Sequence, residues 1–180
     1  DAEDFRLDRP RALLELEAHL KAGVRLVAVS AVQFATGQRM PLEAFGSLCA
    51  THGAELFVDA IQCLGAMPLD VAGLGIHYLS SGGHKWLMGP EGTGVLYVAP
   101  RCAAALRPEV AAWLSHESPI DFLIKGSGHL LYDRPIVKSA RLVEGGTFNA
   151  LGVAGLEASV GLLRQLDVAN IYNHVQAWHD

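Results

Sequence analysis

The sequence has few cysteines, no long uncharged apolar run and no cluster of basic residues. Its three cysteines, Cys49, Cys63 and Cys102, are odd in number and widely spaced, which disfavours a disulfide framework and is typical of a reducing cytoplasm. We interpret all three as small buried apolar side chains. No segment approaches the roughly 18 uncharged apolar residues of a membrane span, and the charged start at residues 1–4 is not typical of a signal peptide. These absences disfavour a disulfide-rich scaffold and a membrane partner.

The charge balance disfavours nucleic acid as a partner. The chain has 14 basic and 19 acidic residues, for a net charge of −5 at pH 7, and the basic residues are dispersed. Its 180 residues, 51% of them apolar and 18% charged, fit one globular domain with a substantial core. So apolar a chain is expected to expose surface for a partner subunit or for further parts of its own fold.

The apolar pattern alternates between helices and short strands. The predicted strands are Leu26–Ser30, Leu56–Val58, Tyr78–Ser80 and Gly94–Val98. The predicted helices run from Asp8 to Gly23, from Pro41 to Gly53, from Leu151 to Leu166 and from Val168 to Trp178, off the end of the chain. Leu123 to Arg134 is predicted to be a loop. This order predicts an α/β fold with a mainly parallel sheet flanked by helices, in which the tight turn at Gly89–Gly94 allows the last strand to run antiparallel.

The leucines of the predicted helices indicate the faces that pack on the sheet. In the first helix they are Leu13, Leu14, Leu16 and Leu20, and in the helix from Leu151 they are Leu151, Leu156, Leu162, Leu163 and Leu166. The run Leu26–Ser30 is continuously apolar, as expected for a strand buried on both faces. Ligands of open α/β sheets bind beyond the carboxyl ends of the strands. Gln33, Asp59 and Ser81 follow or lie at such ends, so we place the candidate site on that rim.

A lysine and an aspartate near two strand ends predict a specific chemistry. Lys85 stands between Gly82-Gly83 and Trp86-Leu87, a setting expected to exclude water and to favour the neutral amine that forms a Schiff base with an aldehyde. Asp59 follows the apolar run Leu56–Val58, and its carboxylate could bind the protonated ring nitrogen of a heteroaromatic cofactor. A lysine on the aldehyde and an acid on the pyridine nitrogen are what pyridoxal 5'-phosphate (PLP) requires. The alternatives are a surface lysine in a loop and a helix N-cap at Asp59.

Four segments, in order along the chain, resemble one known family. They are Val29–Gly37, Val58–Gln62, His84–Gly94 and Glu144–Asn149. Together they resemble the class V aminotransferases of the fold-type I PLP enzymes, which include cysteine desulfurases, selenocysteine lyases and isopenicillin N epimerase-like proteins. The resemblance implies the central part of the PLP-binding large domain across residues 1–180, incomplete at both ends, with the small C-terminal domain absent.

The resemblance implies roles for individual residues. Lys85 would form the Schiff base, Asp59 would pair with the pyridinium nitrogen, and Gln62 would donate to the phenolic oxygen of PLP, the alternative for Gln62 being a polar helix residue. Ser81 and His84 would bind the phosphate. Thr147 would reach the cofactor of a neighbouring subunit in a homodimer, or instead cap a helix together with Asn149.

Three positions depart from the desulfurase pattern. Gly82 stands three residues before Lys85 where desulfurases have serine, so backbone N–H groups could replace the hydroxyl at the phosphate. Gln33, a candidate substrate contact, stands where they have asparagine. His77 stands where relatives usually have aspartate. The departure at Gln33 disfavours a desulfurase reaction, and His77 has no explanation in the sequence. The Val32–Gly37 stretch and Phe148 favour the selenocysteine lyase and epimerase-like branch.

The sequence predicts a PLP-dependent transferase or lyase that acts on an amino acid, with no metal site and no persulfide chemistry at its cysteines. The phosphate loop is expected upstream of residue 1, and the substrate-carboxylate arginine beyond residue 180. Since both are outside this sequence, the main alternative is a catalytically inactive fragment or remnant with a structural or association role. A nucleotide-binding α/β domain has only fold analogy in its favour, because no phosphate-binding glycine loop is present.

Overall fold

The computed structural model of the chain describes residues 8–107 and 109–178. The charged start at residues 1–4 lies outside the described residues. Contacts divide the described residues into two compact units: one runs up to Tyr97 and resumes at Leu151, and the other lies between Val98 and Ala150. The first unit contains the sheet, except for its last residue Val98, and most of the helices, so the candidate rim belongs to it.

The sheet confirms the predicted α/β fold. Its four strands are β1 (Leu26–Ser30), β2 (Glu55–Asp59), β3 (Tyr78–Gly82) and β4 (Gly94–Val98), hydrogen-bonded in the order β1-β2-β3-β4. β1 pairs parallel with β2, and β2 parallel with β3. β4 follows a tight turn, in which the Gly83 N–H donates to the Thr93 carbonyl at 2.8 Å, and completes a mixed, mostly parallel sheet.

The described residues also form six α-helices. They are α1 (Arg9–Lys21), α2 (Leu42–His52), α3 (Pro100–Ala103), α4 (Asp121–Lys125), α5 (Ala150–Leu166) and α6 (Val168–Gln176). α1 begins where predicted because Asp8 Oδ1 accepts a hydrogen bond from the Arg11 N–H at 3.1 Å. α2 ends where predicted because Gly53 adopts a left-handed conformation, with φ at +66°. No described helix is long and apolar enough to cross a membrane.

Four local predictions, on burial and on one helix end, are wrong. β1 is an edge strand rather than one buried on both faces, and Leu26 is 51% exposed. Of the five leucines expected to face the core from α5, only Leu163 is fully buried, whereas Leu151 is 88% exposed. Leu14 of α1 is also exposed. α6 ends at Gln176 instead of running off the chain.

The predicted loop between Leu123 and Arg134 instead contains part of α4 and a 3-10 turn at Ser127–His129. In this second unit the Arg134 guanidinium donates to the Ser118 carbonyl at 2.6 Å, to Asp121 Oδ2 at 3.1 Å and to the His129 carbonyl at 3.0 Å. One arginine thus links the end of the segment to Ser118 and to Asp121, at the start of α4. Because these contacts are not periodic, the apolar pattern does not reveal them.

The core of the first unit lies on the sheet beneath α2. Its fully buried side chains include Leu56, Val58, Ile76, Cys49 and Cys63. Cys102, in the second unit, is also buried, and all three cysteines are free. The interpretation of the cysteines as small buried apolar side chains is confirmed.

Candidate active site

The parallel register brings three strand ends to one edge of the sheet. Ser30, at the end of β1, pairs with Asp59, at the end of β2, and Asp59 pairs with Ser80 of β3. Gln33 follows β1 in a turn closed by a hydrogen bond from the Gly37 N–H to the Gln33 carbonyl at 2.8 Å. The predicted rim is therefore present, because parallel strands end on the same side.

Asp59 is half-buried and anchors the turn that follows it. Its Oδ1 accepts a hydrogen bond from the Ile61 N–H at 3.0 Å, and Oδ2 has no hydrogen-bond partner within the described part of the chain. The helix expected after Asp59 does not form. Residues 61–66 are consecutive turns, with the Cys63 and Leu64 N–H groups both donating to the Ala60 carbonyl. The carboxylate thus has a capping role and one oxygen available to a ligand.

Lys85 lies in the turn between β3 and β4, and its side chain is exposed rather than withdrawn from water. Hydrogen bonds from Met88 N–H to the Lys85 carbonyl at 2.9 Å and from Gly89 N–H to the Gly83 carbonyl at 2.8 Å close the turn. The turn buries Leu87, which is 6% exposed, and directs Lys85 and Trp86 outward. The expectation of a water-poor lysine is therefore wrong for this chain.

The turn formed by residues 83–89 is called the lysine turn below. Two residues distant in sequence contact it and hold it in place. A Cβ atom at Gly65 would lie 2.5 Å from the Trp86 carbonyl oxygen, and Gly65 has φ at +98°, so only glycine fits there. From α5, the Ser159 hydroxyl lies 2.9 Å from the Met88 carbonyl oxygen and 3.0 Å from that of Gly155. Met88 itself has φ at +53°. These contacts fix the backbone that carries Lys85.

Two neighbouring cavities share Gln62 and Trp86 in their walls. One, of about 580 Å³, contains Lys85 together with the apolar side chains of Met88 and Leu163. The other, of about 270 Å³, is lined by Gln33 and Arg39 among others. The structure thus places three sequence-predicted residues, Gln33, Gln62 and Lys85, around adjoining spaces. Asp59 lies in the turn that leads to Gln62.

Arg39 and Tyr172 are features of this region that sequence reasoning missed. The Arg39 guanidinium donates from Nη1 to the Tyr172 hydroxyl and lies 5.1 Å from the centroid of the tyrosine ring. The two residues are 133 positions apart, and Tyr172 lies on α6. No local motif joins them, so only the fold reveals the pair.

The predicted phosphate ligands differ in accessibility. His84 is exposed in the lysine turn, and its ring approaches Gly82 so closely that a Cβ there would lie 2.8 Å from His84 Cε1. Ser81 is buried, and its hydroxyl lies 3.2 Å from the Gly82 carbonyl oxygen. Thr147 is exposed and belongs to the second unit. His84 is therefore available to a ligand from the lysine turn, whereas the Ser81 hydroxyl has a backbone acceptor.

His77 has a structural role. Its Nδ1 accepts a hydrogen bond from the Leu56 N–H at 3.1 Å, and its own backbone N–H donates to the Leu56 carbonyl at 2.9 Å. An aspartate, which relatives usually have here, could accept the same bond. The departure at residue 77 therefore preserves an acceptor that joins the start of β3 to β2.

Cys63 is the cysteine nearest to the rim, one residue after Gln62. Burial raises the pKa of its thiol to about 11, and the positive charge of Arg39 partly offsets this effect. Burial also raises the pKa of Cys49. Since the thiolate is the nucleophilic form, neither cysteine is activated for attack at neutral pH.

Comparison with known proteins decides the family. The family model described as aminotransferase class-V matches residues 6–180. The chain belongs to the class V aminotransferase family. The resemblance found in the four sequence segments is thereby confirmed, and the family uses PLP.

Members of the family that resemble this chain are longer proteins. The chain is 31% identical over 170 residues to the uncharacterized aminotransferase YcbU of Bacillus subtilis, covering 94% of this chain and 43% of that protein. It superposes on the apo structure of cysteine desulfurase from Thermococcus onnurineus NA1 with a TM-score of 0.73 and 30% identity, covering 91% of this chain and 37% of that one. For the cystine C-S lyase C-DES in complex with cysteine persulfide, the TM-score is 0.76 at 28% identity, covering 90% and 42%. The chain thus spans less than half of these relatives.

The donor set of the rim fits PLP chemically. An aldehyde requires an amine, and Lys85 is exposed. A protonated pyridine nitrogen requires an acceptor, and Asp59 Oδ2 is available beside the bonded Oδ1. Gln62 supplies a carboxamide to the cavity that contains Lys85. The Lys85 amine, the Asp59 carboxylate and the Gln62 carboxamide, which suit three positions on PLP, therefore belong to one unit of the chain.

Proposed function

We propose that the protein is a PLP-dependent enzyme of the class V aminotransferase type that acts on an amino acid through Lys85. The observation that carries the proposal is the placement of Lys85 and Gln62 on one cavity, with Asp59 at the adjoining strand end. When bound, PLP supplies an electron sink for charge that develops at the substrate α-carbon.

The residues of this chain would divide the work. The Lys85 amine would hold the cofactor aldehyde and would accept or donate the proton at the substrate α-carbon. The Asp59 carboxylate accepts a hydrogen bond from the ring nitrogen and keeps it protonated. Gln62 donates to the phenolic oxygen and so orients the ring. His84, which is exposed in the lysine turn, is the proposed phosphate contact, whereas the Gly83 N–H already donates to the Thr93 carbonyl.

A homodimer is part of the proposal. Thr147 is exposed, as a residue must be to reach the cofactor of a neighbouring subunit, and the chain exposes large apolar side chains such as Leu151, Phe148 and Trp86. The free thiols support a reducing compartment such as the cytoplasm. The type of reaction, whether transamination, lyase chemistry or epimerisation, is the finer part of the proposal. The Val32–Gly37 stretch and Phe148 favour the lyase and epimerase-like branch, and Gln33 disfavours desulfuration.

Borohydride trapping tests the proposal directly. The purified chain is mixed with PLP and reduced, and the peptide that carries the cofactor mass is sequenced. We expect one modified peptide containing Lys85, and none in the K85A variant. Lys21→Ala, which removes an exposed lysine of α1 paired with Glu17 at 2.7 Å, is the matched control and should label like the unsubstituted chain. Labelling spread over surface lysines, or its persistence in K85A, would support the inactive remnant instead.

A further inference from the structure

The cavity of about 580 Å³ that contains Lys85 has a mainly apolar wall. Its apolar side chains come from the lysine turn, α5 and α6, and they are Trp86, Met88, Leu163, Leu166 and Ile171. Among the described residues, Lys85 is the only charged residue that lines this cavity, and Gln62 supplies the only carboxamide. Small-molecule sites combine such an apolar lining with a few polar groups. The wall therefore predicts a ligand with an apolar part next to the group that meets Lys85.

Several of these apolar side chains remain partly in water although they line one space. Trp86 is 43% exposed, Met88 52% and Leu166 51%, whereas Leu163 is 5% exposed. Met88 also has φ at +53°, a conformation that residues other than glycine seldom adopt. A cluster of exposed apolar side chains on a folded unit marks a binding surface. This cluster shares its cavity with the Lys85 amine, so the bound group lies within reach of that amine.

The junction of α5 and α6 brings two of the apolar side chains to the same wall. Leu166 ends α5, Ile171 lies in the first turn of α6, and Asp167 alone joins the two helices, with φ at +64°. Asp167 Oδ1 accepts a hydrogen bond from the Ala169 N–H at 3.0 Å, and the Ile171 N–H donates to the Asp167 carbonyl at 3.1 Å. These bonds fix the direction in which α6 leaves α5. The apolar wall is therefore set by the fold and not by one continuous apolar segment.

We propose that this cavity binds the apolar side chain of an amino-acid substrate, with Leu166 and Ile171 as the residues that select for it. The identity of the ligand as a substrate rests on the proposed function, in which the Lys85 amine holds the cofactor. With that amine committed, the described wall keeps no charge, so an ionised side chain would lose water without gaining a partner. An apolar side chain gains about three- to fourfold in affinity for each methylene that it buries.

The first test uses aldehyde probes without PLP. Hexanal and glyoxylate both condense with a lysine amine with loss of water, and only hexanal carries an apolar chain. After reduction with cyanoborohydride, mass spectrometry compares the labelling of Lys85 with that of Lys21 and Lys138, which are both exposed. We expect the ratio of Lys85 labelling to reference labelling to be at least about tenfold higher with hexanal than with glyoxylate, because two or more methylenes are buried. Equal ratios for the two aldehydes would overturn the inference.

The second test changes the apolar wall. Leu166→Ala and Ile171→Ala should each lower the hexanal ratio about three- to tenfold. Leu166→Asn keeps the size of the side chain but makes it polar, and it should lower the ratio as much. Leu162→Ala is the matched control, because Leu162 also lies on α5, is 48% exposed and does not line this cavity, so its ratio should be unchanged. Unchanged ratios in L166A and I171A, with circular dichroism like that of the unsubstituted chain, would refute the assignment.

The third test identifies the occupant as a substrate side chain. The chain is loaded with PLP, L-norleucine or L-glutamate is added, and the fraction of Lys85 still trapped by borohydride is measured, since a bound amino acid frees this amine. We expect norleucine to halve the trapping at a concentration at least about tenfold lower than glutamate does, and equal concentrations would overturn the selection. If PLP never labels Lys85 while hexanal keeps its preference, the proposed function is rejected and the apolar cavity remains. If PLP labels Lys85 and hexanal shows no preference, the apolar site alone is rejected.

Discussion

Asp59 Oδ1 accepts a hydrogen bond from the Ile61 N–H at 3.0 Å, so the carboxylate proposed to hold the cofactor also holds the turn after β2. The two roles use different atoms. Oδ1 is committed to the backbone, and the negative charge together with Oδ2 is available to a ring nitrogen. The two interpretations of Asp59, as a cap and as a cofactor ligand, are therefore compatible in one side chain.

Substitutions at Asp59 should separate these roles. Asp59→Asn keeps an oxygen acceptor for Ile61, so the free energy of unfolding should change by no more than about 0.5 kcal/mol. It removes the charge, and PLP affinity should fall about tenfold or more. Asp59→Ala should lose the affinity and also about 1 kcal/mol of stability. Urea unfolding and a PLP titration measure both, and D59N that binds PLP normally would leave Asp59 with the capping role alone.

Alanine substitutions at Gly65 and at Gly23, compared with each other, test how tightly the lysine turn packs on Gly65. Both have a positive φ, +98° and +95°, so alanine is strained at either position. At Gly65 the new Cβ would also lie 2.5 Å from the Trp86 carbonyl, whereas at Gly23 no described atom lies within 4 Å. Gly23→Ala should cost about 1 kcal/mol, and Gly65→Ala a further 1 to 3 kcal/mol, roughly. Equal losses in urea unfolding would show that the turn does not press on Gly65.

Ser159 should control the local stability of the lysine turn. Ser159→Ala removes the hydroxyl from the Met88 carbonyl and should cost about 1 kcal/mol. Hydrogen exchange at the Met88 amide, which donates to the Lys85 carbonyl, should become faster. Ser47→Ala, on the exposed surface of α2, is the control and should leave this exchange unchanged. Unaltered Met88 exchange in S159A would mean that other contacts suffice to hold the turn.

The buried thiol of Cys63 predicts the alkaline behaviour of the fold. Its pKa is raised by burial from 9.0 to about 11, so the folded state retains the proton while the unfolded chain loses it. The stabilisation is complete below pH 9 and is lost as the pH rises to about 11, by about 2 to 3 kcal/mol. Unfolding measured from pH 8 to 11 should show this decline. Cys63→Ala should be less stable at pH 8 and should show a smaller decline, and an equal decline would assign the effect to other groups.

Alkylation should leave the folded chain unmodified at neutral pH. Cys49 and Cys63 are 0% exposed and Cys102 is 4% exposed, so iodoacetamide should modify all three only after unfolding in urea. The signal of PLP bound at Lys85 should survive treatment of the folded chain. Rapid modification of Cys63, with loss of that signal, would show that the turn after Asp59 opens in solution.

The sequence determined what depends on neighbouring residues. The order of strands and helices, the caps at Asp8 and Asp167 and the left-handed end of α2 at Gly53 follow from local preferences. Four motif segments, two of which contain Asp59 and Lys85, were sufficient to recognise the family that the comparison confirms. The strand ends were sufficient to place Gln33 and Asp59 on one rim, since parallel strands share a carboxyl edge.

Only the tertiary structure decided what depends on residues far apart in the chain. The exposure of Lys85, the edge position of β1 and the exposed leucines of α5 reflect which surfaces meet, and apolar periodicity does not specify the partner of an apolar face. The closure of the segment at Arg134 is likewise a long-range contact. The pairing of Arg39 with Tyr172 joins residues 133 positions apart. That pair places an unneutralised positive charge beside the rim, because a guanidinium and a phenol meet only when α6 packs near the turn after β1.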